Sequence, residues 1–151
     1  MTSPAEKILK EYLSSVSTNF PTQKTYEAIV LEHGRKFAPP VTPRPKGIRK
    51  GRNRLCFMNA YRLANREDFR YVEGFAISDI GILIPVQHAW VVDNKDNVIE
   101  TTWKESGLAY SGIVFDLEFV NRVICETKLY GIMDYRSETF RERFAKENEN
   151  E

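Results

Sequence analysis

Between Ala38 and Gly47 the chain reads APPVTPRPKG, and four prolines in ten residues allow neither a helix nor a central strand. The stretch predicts an extended connector, so the core has to be assembled from what lies on either side of it. Before it, Ser3, Pro4 and Glu6 form a capping box with proline at the first helical position. Ile8, Leu9, Tyr12, Leu13 and Val16 follow at helical spacing, which predicts an amphipathic helix over residues 4–17. Tyr26, Ile29, Val30 and His33 mark a second helix, with Gly34 as its C-terminal stop.

After the connector, Asn53 is a good N-cap for a third helix running to about Asn65, apolar almost all round and so expected to be central and buried. The rest of the chain is strand-like: RYVEGFAI, QHAWVV, NVIETTW, YSGIVF and NRVICETKLYGI, separated by turn residues such as DNKDN. Cys125 alternates with Val123 and Thr127 in the last run and reads as plain core. Ser137 can cap a final helix over ETFRERFAKE. Helices followed by an antiparallel sheet predict an α+β fold in one domain of 151 residues. Its parts are a helical segment over 1–37, a basic proline-rich connector over 38–52, a core over 53–131, and a C-terminal helix and tail over 136–151.

The start of the chain lacks the tripartite pattern of a secretion signal, and the longest apolar stretch is interrupted by Asp79 and Pro85. Two cysteines do not make a disulfide framework. These features lead to the expectation of a reducing, cytoplasmic compartment and no membrane. Two histidines and two cysteines, widely scattered, offer no zinc set, and KGIRKGRN lacks the ending of a phosphate loop, so no cofactor is expected. Net charge is only +1, yet from Arg35 to Arg54 there are eight lysines or arginines and no acid. This segment is either a solvated connector or a contact for nucleic acid or an acidic protein.

The chemistry-bearing residues are few. With Asn53 as N-cap, Cys56 becomes the third helical residue, where free N–H groups and the helix dipole favour a thiolate and can hold an oxyanion. His88 opens a strand 32 residues later, and Glu100 lies on the next one. A thiol, an imidazole and an orienting carboxylate are the parts of a Cys-His-acid triad. Whether they meet depends on one turn. A three-residue loop of Asn94, Lys95 and left-handed Asp96 pairs Asp93 with Asn97, Trp90 with Glu100 and His88 with Thr102, which puts His88 and Glu100 on one face. A two-residue loop puts them on opposite faces.

The run HAWVVDNKDNVIETTW resembles the His-Ala-Trp strand, hairpin and Asp-Pro-Thr strand of the papain-like, transglutaminase-like cysteine enzymes, to which cell-wall hydrolases of the NlpC/P60 type are related. It is more similar still to small proteins of tailed phages with Cys-aromatic-x-Asn-Ala, Tyr-Val-Glu-Gly, His-Ala-Trp and Tyr-x-Gly motifs. Here these read CFMNA, YVEG, HAW and YSG, and the likeness covers roughly residues 53–116. It implies a papain-like core, Cys56 as nucleophile, His88 as base and Glu100 as orienter, with Glu100 and Thr101 replacing Asp-Pro. It also implies hydrolysis or acyl transfer at an amide, as in a peptidase, amidase or deamidase, on a protein or peptide in the host cytoplasm of a phage. Asn59, on the face of Cys56, and Glu73, a carboxylate between Tyr71 and Phe75, join Trp90 and Tyr110 as candidate substrate-binding residues. The rival is a catalytically inactive module of the same fold that binds through residues 35–54. Oligomeric state is open.

Overall fold

The computed structural model describes residues 2–20, 25–40 and 44–133. The expected C-terminal helix and tail, and part of the connector, lie outside these residues. Helix α1 (Pro4–Asn19) starts with the capping box: Glu6 N donates to Ser3 Oγ and Ser3 N to Glu6 Oε1, both at 3.1 Å. Helix α2 (Tyr26–His33) is capped by Thr25, whose Oγ1 accepts from Ala28 N. It ends at Gly34 with an extended backbone, not the left-handed one that a glycine stop suggests. The reason for glycine there is space, since a Cβ would lie 2.6 Å from Val30 O and 2.7 Å from Gly112 O.

Strand β1 (Arg35–Phe37) follows at once, where a helical segment had been expected to run to residue 37. Helix α3 (Cys56–Arg66) leads to β2 (Arg70–Ile77), β3 (Pro85–Val92), the two-residue β4 (Val98–Ile99) and β5 (Ala109–Phe115). All pairings are antiparallel and the sheet order is β1-β5-β2-β3-β4. Among the described residues the fold is therefore α+β, with four helices and one five-stranded sheet.

Two expectations about the helices need correction. Helix α3 buries one side only, through Asn59, Ala60, Leu63 and Ala64, while Arg62, Asn65 and Arg66 are exposed. The run NRVICETKLYGI is not a strand: helix α4 (Leu117–Thr127) takes its first half. Asp116 Oδ1 caps it by accepting from Glu118 N at 3.3 Å, and Leu117, Val120 and Ile124 meet the core at helical spacing. Lys128, at φ 61°, stops it. Cys125 consequently faces solvent.

Strand β2 is central and buried on both faces. Tyr71 and Phe75 pack under the helices with Ala89, Val91 and Ile99. Val72 and Ala76 face the other way, with Phe37, Trp90, Val98 and Tyr110. Gly74 sits opposite both His88 and Gly112, and a Cβ on it would fall 2.0 Å from Ser111 O. Backbone cannot give way as a side chain can, so Gly74→Ala is expected to cost about 3 kcal/mol of unfolding free energy. A urea titration showing a loss below about 0.5 kcal/mol would contradict this close approach.

Candidate functional site

The hairpin between β3 and β4 places the carboxylate. Asp93 Oδ1 accepts from Lys95 N and Asn97 N, both at 2.9 Å, Asp93 N donates to Asn97 O at 3.1 Å, and Asp96 is left-handed at φ 64°. The turn thus has three residues, and Val92 pairs with Val98 and Val91 with Ile99. Asp96 is held by Arg35 of β1 through two hydrogen bonds of 2.9 Å and by Arg70 of β2, so two other strands fix its position.

The pairing was expected to continue to Glu100 and Thr102, but the ladder stops at Ile99. Glu100 turns the chain instead: its Oε2 accepts from Thr102 N at 2.8 Å and Trp103 N at 2.9 Å. Its Oε1 accepts from the Tyr110 hydroxyl at 2.9 Å and meets His88 Nε2 at 2.8 Å. Both His88 and Glu100 are almost wholly buried. The Trp103 ring lies flat on the imidazole, with centroids 3.7 Å apart and planes within 7°.

Cys56 also acts on the charge of this ring. Burial alone would lower the His88 pKa, but the ring's hydrogen bonding to Cys56 and Glu100, with the coulombic pull of both, raises it from 6.5 to about 9. Glu100 takes Nε2 of that ring at 2.8 Å. Burial works against the ionised Glu100 as well, and its hydrogen bonds to His88, Trp103 and Thr102 bring its pKa below the usual value.

Cys56 stands differently from the expectation. Asn53 is not the N-cap; it sits in a turn, where its Oδ1 accepts from Lys50 Nζ at 2.7 Å. Arg54, left-handed at φ 66°, breaks the helical path, so α3 begins at Cys56, its first residue and not its third. Leu55 occupies the N-cap and supplies no side-chain hydrogen bond, leaving the first-turn N–H groups uncapped.

The four candidate substrate-binding residues are turned inward. Asn59 donates through Nδ2 to Arg52 O at 2.8 Å and Thr102 Oγ1 at 2.9 Å, tying the start of α3 to the turn after Glu100. Glu73 is fully buried; its Oε2 accepts from Tyr71 Oη at 2.7 Å and Ile132 N at 2.6 Å, and its Oε1 from Met133 N at 3.0 Å. Burial and the Glu73 charge push the Tyr71 phenol well above its ordinary range. Trp90 is fully buried, and its indole N–H has no partner among the described residues. Tyr110, equally buried, accepts from Gly107 N and donates to Glu100. None of the last three is open to a ligand, and Asn59 is nearly as covered.

Two residues of the site went unread in the sequence. Trp103 is the ring on His88, and its place three residues after the candidate acid is the only sequence signal for it. Arg44 donates to Glu100 O at 3.3 Å and Trp103 O at 3.2 Å, tying the connector to the acid. It is one of four cations of the basic segment engaged within the chain, with Arg35 on Asp96, Lys36 on Glu6 at 3.2 Å, and Lys50 on Asn53. Among the described residues no group of His, Cys, Asp and Glu is placed to hold a metal, and no helix is long and apolar enough to cross a membrane. Against protein-family models, curated proteins and solved structures, the chain finds no match.

Proposed function

We propose that this chain is a cysteine-dependent hydrolase or acyl transferase of amide-type bonds, acting as a peptidase, amidase or deamidase on a papain-like core. The observation that carries the reading is the buried His88 ring bonded to the Glu100 carboxylate, with its pKa raised by that carboxylate and by Cys56. A cysteine opening a helix, a histidine on a strand and an acid just past the next strand also agree with that type of core in order and placement.

In this reading the Cys56 proton passes to His88 before the attack, and Sγ then adds to the amide carbonyl carbon. The uncapped N–H groups at the start of α3 hold the resulting oxyanion. The C–N bond then breaks, the amine leaves with the proton from His88, and water or a second amine takes the acyl group from the thioester. Glu100 stabilises the imidazolium between the two steps and is itself kept ionised by Thr102, Trp103 and Tyr110. The buried Trp103 stack and Asn59 keep the ring and the turn in place.

Cys125 provides a reference inside the same molecule, because it is an exposed thiol on α4. With iodoacetamide at neutral pH, Cys56 is expected to alkylate at least about tenfold faster than Cys125, read by peptide mass mapping. Cys56→Ala should keep the fold and lose all turnover. Equal labelling of the two thiols, or an active alanine variant, defeats the reading.

A further inference from the structure

Exposed apolar side chains are not scattered evenly over the described residues. Of the nine large ones, five lie at the tip joining β2 to β3 or just after it: Ile80, Ile82, Leu83, Ile84 and Val86, between 36% and 73% exposed. Leu55, directly before Cys56, is also exposed. Val86 shares a strand face with His88, two residues on. A run of exposed apolar side chains of this kind marks a contact site.

The adjoining strand edge says what sort of contact. Asp93 N donates towards β4, so by alternation the main-chain groups of Val91, Ala89 and Gln87 also face that side. Strand β4 reaches only Val91, and Ala89 is covered, whereas Gln87 is partly exposed and its main chain has no partner on that side among the described residues. Next to the aliphatic tip there is thus, among the described residues, an unfilled strand position, one residue from His88. A free edge takes an extended chain. Residues 78–89 include one acid, Asp79, and no lysine or arginine. A surface without basic residues gains nothing from an anionic bilayer.

We infer that the tip from Ile80 to Val86 is the docking ledge for the substrate of the thiol site, and that this substrate is an extended peptide segment with aliphatic side chains beside the reacting amide. The inference rests on the thiol-enzyme reading above and narrows its substrate class.

Chloroacetyl peptides test it on the full chain. Cys56 Sγ forms a bond to the methylene carbon, the C–Cl bond breaks with its electron pair leaving on chloride, and the thiol proton goes to His88. Chloroacetyl-leucyl-valyl-leucinamide is expected to alkylate Cys56 at least about tenfold faster than chloroacetyl-seryl-glycyl-serinamide. In the double variant Ile82→Ser, Ile84→Ser that ratio should fall to about one, whereas Phe20→Ser with Leu31→Ser, which alters exposed apolar positions on other elements, should preserve it. Equal rates on the unaltered chain overturn the inference, as does a ratio that survives the Ile82 and Ile84 changes. Self-association abolished by those changes in sedimentation would assign the ledge to a second copy instead. Loss of binding to phosphatidylcholine–phosphatidylglycerol vesicles would assign it to a bilayer, and either result overturns the inference. The thiol-enzyme reading fails separately, and takes the inference with it, if plain chloroacetamide reacts with Cys56 no faster than with free cysteine.

Discussion

Replacing Glu100 by alanine is expected to lower the unfolding free energy by about 3–5 kcal/mol, as breaking one side of a buried ion pair does elsewhere. The carboxylate accepts from Thr102 N, Trp103 N and Tyr110 Oη and faces His88, so its loss leaves three buried donors and an imidazole without their acceptor. The isosteric Glu100→Gln separates charge from packing through pH. His88 has a folded pKa raised to about 9, above its unfolded value of 6.5, so its contribution is complete below pH 6.5 and disappears as pH climbs through 9. Glu100 has a lowered folded pKa, so its contribution is present above 4.5 and disappears as pH falls through the folded value. Stability of the unaltered chain should therefore decline by about 3 kcal/mol across pH 6.5 to 9 from His88 alone. In Glu100→Gln that alkaline decline should shrink clearly, because one of the two partners that raise the pKa is then neutral while Cys56 remains. Urea unfolding at a series of pH values measures both limbs, and an unchanged alkaline limb in the glutamine variant would show that the charge of Glu100 does not hold the imidazolium.

An effect of similar size is expected at Glu73, away from the thiol chemistry itself. Glu73→Ala strands the Tyr71 hydroxyl and the amides of Ile132 and Met133, all buried, and should cost about 3–5 kcal/mol. The loss has a local signature. Amide exchange at Ile132 and Met133 should approach that of surface residues while the centre of β2 stays protected. Unaltered protection at those two amides would mean that the segment is held by the burial of its side chains and not by the carboxylate.

The turn from Asp93 to Asn97 was legible because its residues carry their own instructions. Asp93 folds back on two amides, and Asp96 tolerates a left-handed backbone. Glu73 was legible in part: a carboxylate among packing residues had to have a partner, but the partners lie 59 and 60 residues downstream, where no local pattern reaches. The start of α3 was misplaced because Asn53 has the chemistry of a cap, while the left-handed Arg54 that forbids the role has no sequence signature. Helix α4 was read as a strand because valine, isoleucine, cysteine and threonine favour strands. Asp116 and the helical spacing of Leu117, Val120 and Ile124 outweigh that preference once a core exists to receive them. The meeting of Glu100 with His88 was legible from the hairpin, yet the turn that Glu100 makes with Thr102 and Trp103, and its bond from the Tyr110 hydroxyl of another strand, were not.

The clamp of Glu73 on Ile132 and Met133 also sets an order in time. Gln87, next to His88, donates to Met133 O, and Gly131 packs on the Phe57 ring, next to Cys56, so these last described residues bridge the helix and the strands that carry the thiol and the imidazole. A nascent chain that has emerged only as far as β5 already contains Cys56, His88 and Glu100, but its Glu73 still lacks two of its donors. The centre reaches its final form only after Met133 leaves the ribosome, so premature termination inside α4 would release a polypeptide with every reactive group and no finished site.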